Sequence, residues 1–70
     1  MKNLMEALLE EISRNEQLLA EYKNIGPAGM FGATMISNNL DTAKKAITEN
    51  DTIGMIKIFK ELQENQWNKK

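Results

Sequence analysis

Neither cysteine nor histidine occurs among the 70 residues, and those two absences remove most of the chemistry open to a small chain. Acid–base work near neutral pH most often uses histidine, and nucleophilic or zinc chemistry wants cysteine, histidine or convergent carboxylates. Ser13 and Ser37 have no partner base, and Glu10 and Glu11 are helical neighbours that point about 100° apart. The expectation is a non-enzymatic protein with no catalytic residue, no metal site and no cofactor. Without cysteine there is also no disulfide staple and no sign of an oxidising compartment. Long apolar runs are lacking too: the longest is broken by glycines, Asn38 and Asn39 and falls short of the ~20 residues that span a bilayer. The start, Met1 to Glu6, turns acidic at once instead of opening an apolar signal core. A cytoplasmic protein with no membrane partner is expected.

Seventy residues allow one domain, 1–70, with little core. A chain of this size buries roughly 60% of its unfolded surface, and its core rarely supplies more than ~3–5 kcal/mol. With disulfide and metal excluded, self-association is the remaining aid, so a homo-oligomeric helical bundle is expected. Charge totals −1 but is unevenly placed. Glu6, Glu10, Glu11, Glu16 and Glu21 crowd the first third against Lys2 and Arg14, whereas lysines are in excess afterwards. The acidic first helix either lies against the more basic second half or presents a solvated face.

The pattern is all-α, a helical hairpin preceded by an N-terminal helix. Over about 3–23, Met5, Leu8, Ile12, Asn15, Leu19 and Tyr22 follow a three-four alternation, widened by Leu4, Leu9 and Leu18. Met5, Leu8, Ile12, Asn15 and Leu19 are assigned to the oligomer seam, where a polar Asn15 either sets register or is partly exposed. A glycine-rich turn is expected over 24–28. The second helix, about 28–49, carries Phe31, Met35 or Ile36, Leu40, Ala43 and Ile47 on one side. Asn50-Asp51-Thr52 starts a third over about 52–65, with a broad apolar side of Ile53, Met55, Ile56, Ile58, Phe59 and Leu62, before a polar tail, 66–70, containing Trp67. The short turn between the last two helices makes them antiparallel neighbours.

No charged residue lies between Asn24 and Leu40, and this stretch holds Ile25-Gly26-Pro27-Ala28-Gly29-Met30-Phe31-Gly32-Ala33. Pro27 ends the first helix and suits the first turn of the next. Gly29 and Gly32 in early helical turns cost roughly 1 kcal/mol each relative to alanine, which calls for a compensating close approach. Two readings stand. The amides of Ala28, Gly29 and Met30 at a helix start would receive a phosphate or carboxylate, with Lys23 upstream and Tyr22 and Phe31 as stacking surfaces. Alternatively, Gly29, Gly32 and Ala33 let two backbones cross tightly. The segment is neither a Walker loop nor a dinucleotide-binding fingerprint, since no Gly-Lys-Ser/Thr follows and no strand precedes. Nucleic acid is not an expected partner: Lys57 and Lys60 are too few for a recognition helix in a chain of slightly negative charge.

The string from Glu21 to Ile36 resembles the centre of a family of small phage and prophage proteins that read E-Y-x-x-I-G-P-A-G-x-F-G-A-x-M-I, and the similarity extends from about Leu8 to Leu62. The resemblance implies a phage origin, a host-cytoplasm setting and action by binding, as in counter-defence. The leading expectation is sequestration of a small anionic ligand, such as a signalling or cyclic nucleotide, by a homo-oligomer. Its site would comprise Tyr22, Lys23, Ile25, Gly26, Pro27, Ala28, Gly29, Met30, Phe31, Gly32 and Met35. The alternative is an inhibitor or adaptor that binds a host protein through the same patch, with Trp67 and the methionines; a structural subunit is the third.

Overall fold

Asn3 starts the first helix in an extended conformation (φ −83°, ψ 171°), its side chain accepting the Glu6 amide at 2.8 Å. This fills one of the orphan donors of a helix start. The computed structural model describes residues 2–66. It contains α1 (Leu4–Ile25), a single 3-10 turn (Pro27–Gly29), α2 (Met30–Thr48) and α3 (Thr52–Glu64). No strand occurs among the described residues, and none of these helices is long and apolar enough to cross a membrane. The Cα trace measures 35 × 24 × 14 Å. Its long dimension is close to the roughly 33 Å of a 22-residue helix.

Each break between helices has a local cause. Gly26 closes α1 with φ +88°, a conformation that side chains resist, and its amide returns to the Lys23 carbonyl at 3.1 Å. Asn50 sits at φ 58° after α2. Its amide reaches the Ile47 carbonyl at 3.1 Å and the Asp51 amide reaches that of Ala46 at 2.9 Å, the paired bonds of a Schellman stop. Asp51 then serves as the N-cap of α3, accepting the Gly54 amide at 3.0 Å.

Pairings across the chain fix the order. Tyr22 lies against Gly32 and Glu16 meets Lys44 at 3.5 Å, so α1 and α2 run antiparallel. Leu62 receives Arg14 and Gln66 receives Tyr22, so α3 runs parallel to α1. One core joins Leu8, Ile12 and Leu18 from α1, Ile36, Leu40, Ala43 and Ala46 from α2, and Met55, Ile58 and Leu62 from α3. Leu4, Met5, Leu19, Tyr22, Ile47 and Phe59 pack around it, half-buried.

Several expectations shift. Helix α1 runs to Ile25, two residues further than expected, and α2 begins at Met30 because the Pro27–Gly29 turn intervenes. The seam expected between copies is internal: Leu8, Ile12 and Asn15 are buried inside the chain's own core, with Met5 and Leu19 packed on its edge. Asn15 is satisfied within the chain, so nothing about it calls for a second copy. On α2 the buried face follows Ala33, Ile36, Leu40 and Ala43. Phe31 lies about 200° away from Ala33 at 100° per residue and is 79% exposed, with Met35 also exposed. On α3, Ile53 and Ile56 face outward, which narrows the buried side to Met55, Ile58 and Leu62. The acidic outer residues Glu6, Glu10 and Glu21 are solvated, and the Glu16–Lys44 pair is the one ion pair joining α1 to a later helix among the described residues.

Candidate functional site

The corner between the end of α1 and the first turns of α2 is shaped by glycine. A Cβ on Gly29 would collide with the carbonyl oxygen of Tyr22, and one on Gly32 would lie 2.9 Å from Cε1 of the Tyr22 ring. Both glycines thus answer the close-approach requirement within one chain: the corner rests directly on the last turns of α1. The crossing reading accounts for them without a ligand.

The anion-receiving amides require a correction. The Gly29 amide donates to the Gly26 carbonyl at 2.9 Å and the Met30 amide to that of Pro27. The 3-10 turn consumes two of the three donors offered to a phosphate, leaving Ala28 alone without a hydrogen bond from its amide among the described residues. A phosphate nest needs several such amides together, so the helix start by itself is a poor anion site.

The other named residues divide around α2. On one flank Tyr22, Gly32 and Met35 join Ile36, Glu64, Asn65 and Gln66 around a cavity of about 260 Å³. On the opposite flank Lys23 and Met30 join Ala33, Thr34, Ser37 and Asn38 around a groove of about 190 Å³. Ile25, Ala28, Met30, Phe31 and Met35 are exposed between and beside them, and Pro27 is exposed at the turn. The corner therefore offers a surface free of charge from Asn24 to Leu40, bordered by one cation, Lys23.

Beside the first cavity run hydrogen bonds to Asn39, Asn65 and Gln66, residues not among those expected for the site. The Tyr22 hydroxyl donates to the Gln66 carbonyl at 3.1 Å. The Asn65 amide donates to the side-chain oxygens of both Asn15 and Asn39 at 3.0 Å. No buried side-chain polar atom is left without a partner among the described residues. Asn39 and Asn65 carry no sequence signal beyond being polar residues at helical positions near the core. Thr34, Ser37 and Asn38 had one, since they fall two to six residues beyond Gly32 on the turns that follow. Trp67, named for the protein-binding reading, lies outside the described residues. No group of acidic residues that could hold a metal ion occurs among the described residues.

No family model, no curated protein and no solved structure matches this chain. The site's geometry therefore carries the functional reading.

Proposed function

We propose that the protein is a non-enzymatic binder that sequesters a small anionic ligand, such as a signalling nucleotide, at the corner between α1 and α2. The observation that carries this reading is the charge-free, largely exposed surface from Asn24 to Leu40, with Lys23 as its single bordering cation and a recess on each flank of α2. An anion approaching there meets no carboxylate on the Lys23 side and finds apolar surface in Met30 and Phe31 for an attached base. The resemblance to small phage proteins adds a setting, counter-defence in a host cytoplasm.

Native mass spectrometry of the purified chain with a panel of cyclic and linear nucleotides tests it. Whole-number mass increments of one nucleotide support sequestration and give its stoichiometry; no uptake from the panel removes the reading. The same spectra test self-association. Within the expected seam Leu8, Ile12 and Asn15 are buried and Met5 and Leu19 half-buried, and Leu9, Ile53 and Ile56 are exposed apolar side chains away from the corner.

A second reading, an adaptor or inhibitor that binds a host protein, is favoured by Phe31 itself, 79% exposed and flanked by the exposed Met30 and Met35. A large aromatic between two flexible thioethers suits a protein hot spot. Its signature is one stoichiometric host protein that is lost when Phe31 is made polar, with no nucleotide retained.

A further inference from the structure

The two recesses beside α2 are not electrically equivalent. The cavity of about 260 Å³ is bordered by Glu64 and holds no cation. The groove of about 190 Å³ is bordered by Lys23 and holds no carboxylate. Opposite charges attract and like charges repel across a protein surface, so an anion is disfavoured at the first and favoured at the second.

The polar groups of the groove converge in a definite pattern. Thr34, Ser37 and Asn38 follow one another at i, i+3 and i+4 and so share one face of α2. Two hydroxyls and an amide therefore stand along one wall, and Lys23 comes from α1. Ala33 is buried and Met30 is exposed, so small and apolar side chains complete the lining. Lys23 is in no ion pair among the described residues, unlike Lys2, Arg14 and Lys44. The charged groups next along these helices are Glu21, Glu16 and Asp41. Glu21 lies two residues before Lys23 on α1, about 160° around the helix; Glu16 is engaged by Lys44, and Asp41 lies a turn beyond Ser37 and Asn38.

We propose that the groove between α1 and α2 is a seat for the phosphate group of an organophosphate, with Lys23 as its charge partner and Thr34, Ser37 and Asn38 as hydrogen-bond donors. This rests on the reading of the protein as a binder of small anions, and it moves the anion from the helix start, where Gly29 and Met30 have no free amide, to side chains. Lysine acts on phosphate as a point charge, and hydroxyl and amide donors supply direction. The volume also limits the ligand. Sites that enclose a drug-sized molecule run to roughly 300–1,000 Å³, so this groove seats a head group, and the rest of the molecule extends over Met30 toward Phe31.

The test is an amide-resolved NMR titration of the full chain with AMP, 3′,5′-cyclic AMP and inorganic pyrophosphate, with adenosine as the uncharged control. Saturable shifts at Lys23, Thr34, Ser37 and Asn38 with the phosphate-bearing probes, weaker with adenosine, are expected. Lys23→Met, a change at an exposed position, should weaken AMP binding at least tenfold, and Lys23→Arg should keep most of it. Shifts confined to Gly32, Met35 and residues 64–66 would overturn this placement and leave sequestration standing. No shift with any of the three phosphate probes would overturn the placement too; nucleotide uptake in the mass-spectrometric panel then decides separately whether sequestration stands.

Discussion

The side-chain amide of Asn15, fully buried, donates to the carbonyl oxygen of Leu62 at 3.2 Å and joins the middle of α1 to the last turn of α3. The same amide reaches the Glu11 carbonyl at 2.8 Å, and Arg14 adds a second donor to Leu62 at 2.6 Å. The last carbonyls of any helix lack intrahelical partners, and α3 has no glycine after it to close its end. Residues of α1 share that closure with the Asn65 backbone amide, which reaches the same carbonyl at 3.3 Å. Asn15→Leu should therefore cost about 1–3 kcal/mol, because Leu62 loses one of its three donors, keeping Arg14 and the Asn65 backbone amide, and the Asn65 side-chain amide loses a buried acceptor. Urea unfolding measures it, and a cycle with Arg14→Met should show coupling between the two donors. A loss below about 0.5 kcal/mol would mean that Arg14 and the Asn65 backbone amide suffice to close the helix.

Gly29 and Gly32 touch the same residue, Tyr22, in different ways, and the difference sets an order of sensitivity. The obstacle at Gly29 is backbone, which cannot move without displacing α1, whereas at Gly32 it is an aromatic ring at 2.9 Å. Gly29→Ala should destabilise by about 2–3 kcal/mol, a strained overpacking cost. Gly32→Ala should cost less, since the ring can give and alanine is worth roughly 1 kcal/mol more than glycine inside a helix. Thermal melts of the two variants check the order; equal losses would mean that the Tyr22 ring is held as firmly as the backbone.

How far these features were legible depends on whether their cause was local. Three helices and their order followed from apolar spacing, from Pro27 and from the Asn50-Asp51 turn, all of which act within a few residues. Asn15 was legible as a seam residue, but what it meets was not: its partners lie 47 and 50 positions away, and no periodicity encodes that distance. Met35 and Ile36 are alternatives for the same inward face, and hydrophobicity favours neither; the structure buries Ile36 and exposes Met35 and Phe31. Gly29 rests against Tyr22 of α1, and with Ala33, Ile36 and Leu40 turned inward Phe31 faces solvent. The amides of Gly29 and Met30 looked free because a helix start was expected at Ala28; a 3-10 turn before α2 engages them.

Asn50 holds a left-handed conformation at φ 58° between two helices, where asparagine is tolerated and glycine is preferred. Asn50→Gly should keep stability within about 0.5 kcal/mol of the original, lower left-handed strain being offset by a more flexible unfolded chain. Asn50→Val should lose about 1–2 kcal/mol, since a β-branched residue resists positive φ. The contrast is read in chemical denaturation. Equal stability of the valine variant would mean that the turn relaxes out of the Schellman arrangement, which the loss of protection at the Asp51 amide would register.

Phe31 separates binding from folding, because a side chain 79% exposed contributes little to the core. Surface substitutions usually stay within about 0.5 kcal/mol, and a domain of this size shifts its Tm by about 4–8 °C per kcal/mol. Phe31→Ser should thus melt within about 4 °C of the unsubstituted chain, whereas Leu62→Ala, which opens a fully buried position, should cost about 2–5 kcal/mol. With folding intact, the variant's binding becomes interpretable. Sequestration through the Lys23 groove predicts a moderate loss of nucleotide affinity, about 1–3 kcal/mol if a base stacks on the ring, and continued dependence on Lys23. An adaptor that uses Phe31 as its anchor predicts complete loss of the captured protein and no response to Lys23→Met. A variant that keeps both activities would show that the exposed ring serves neither.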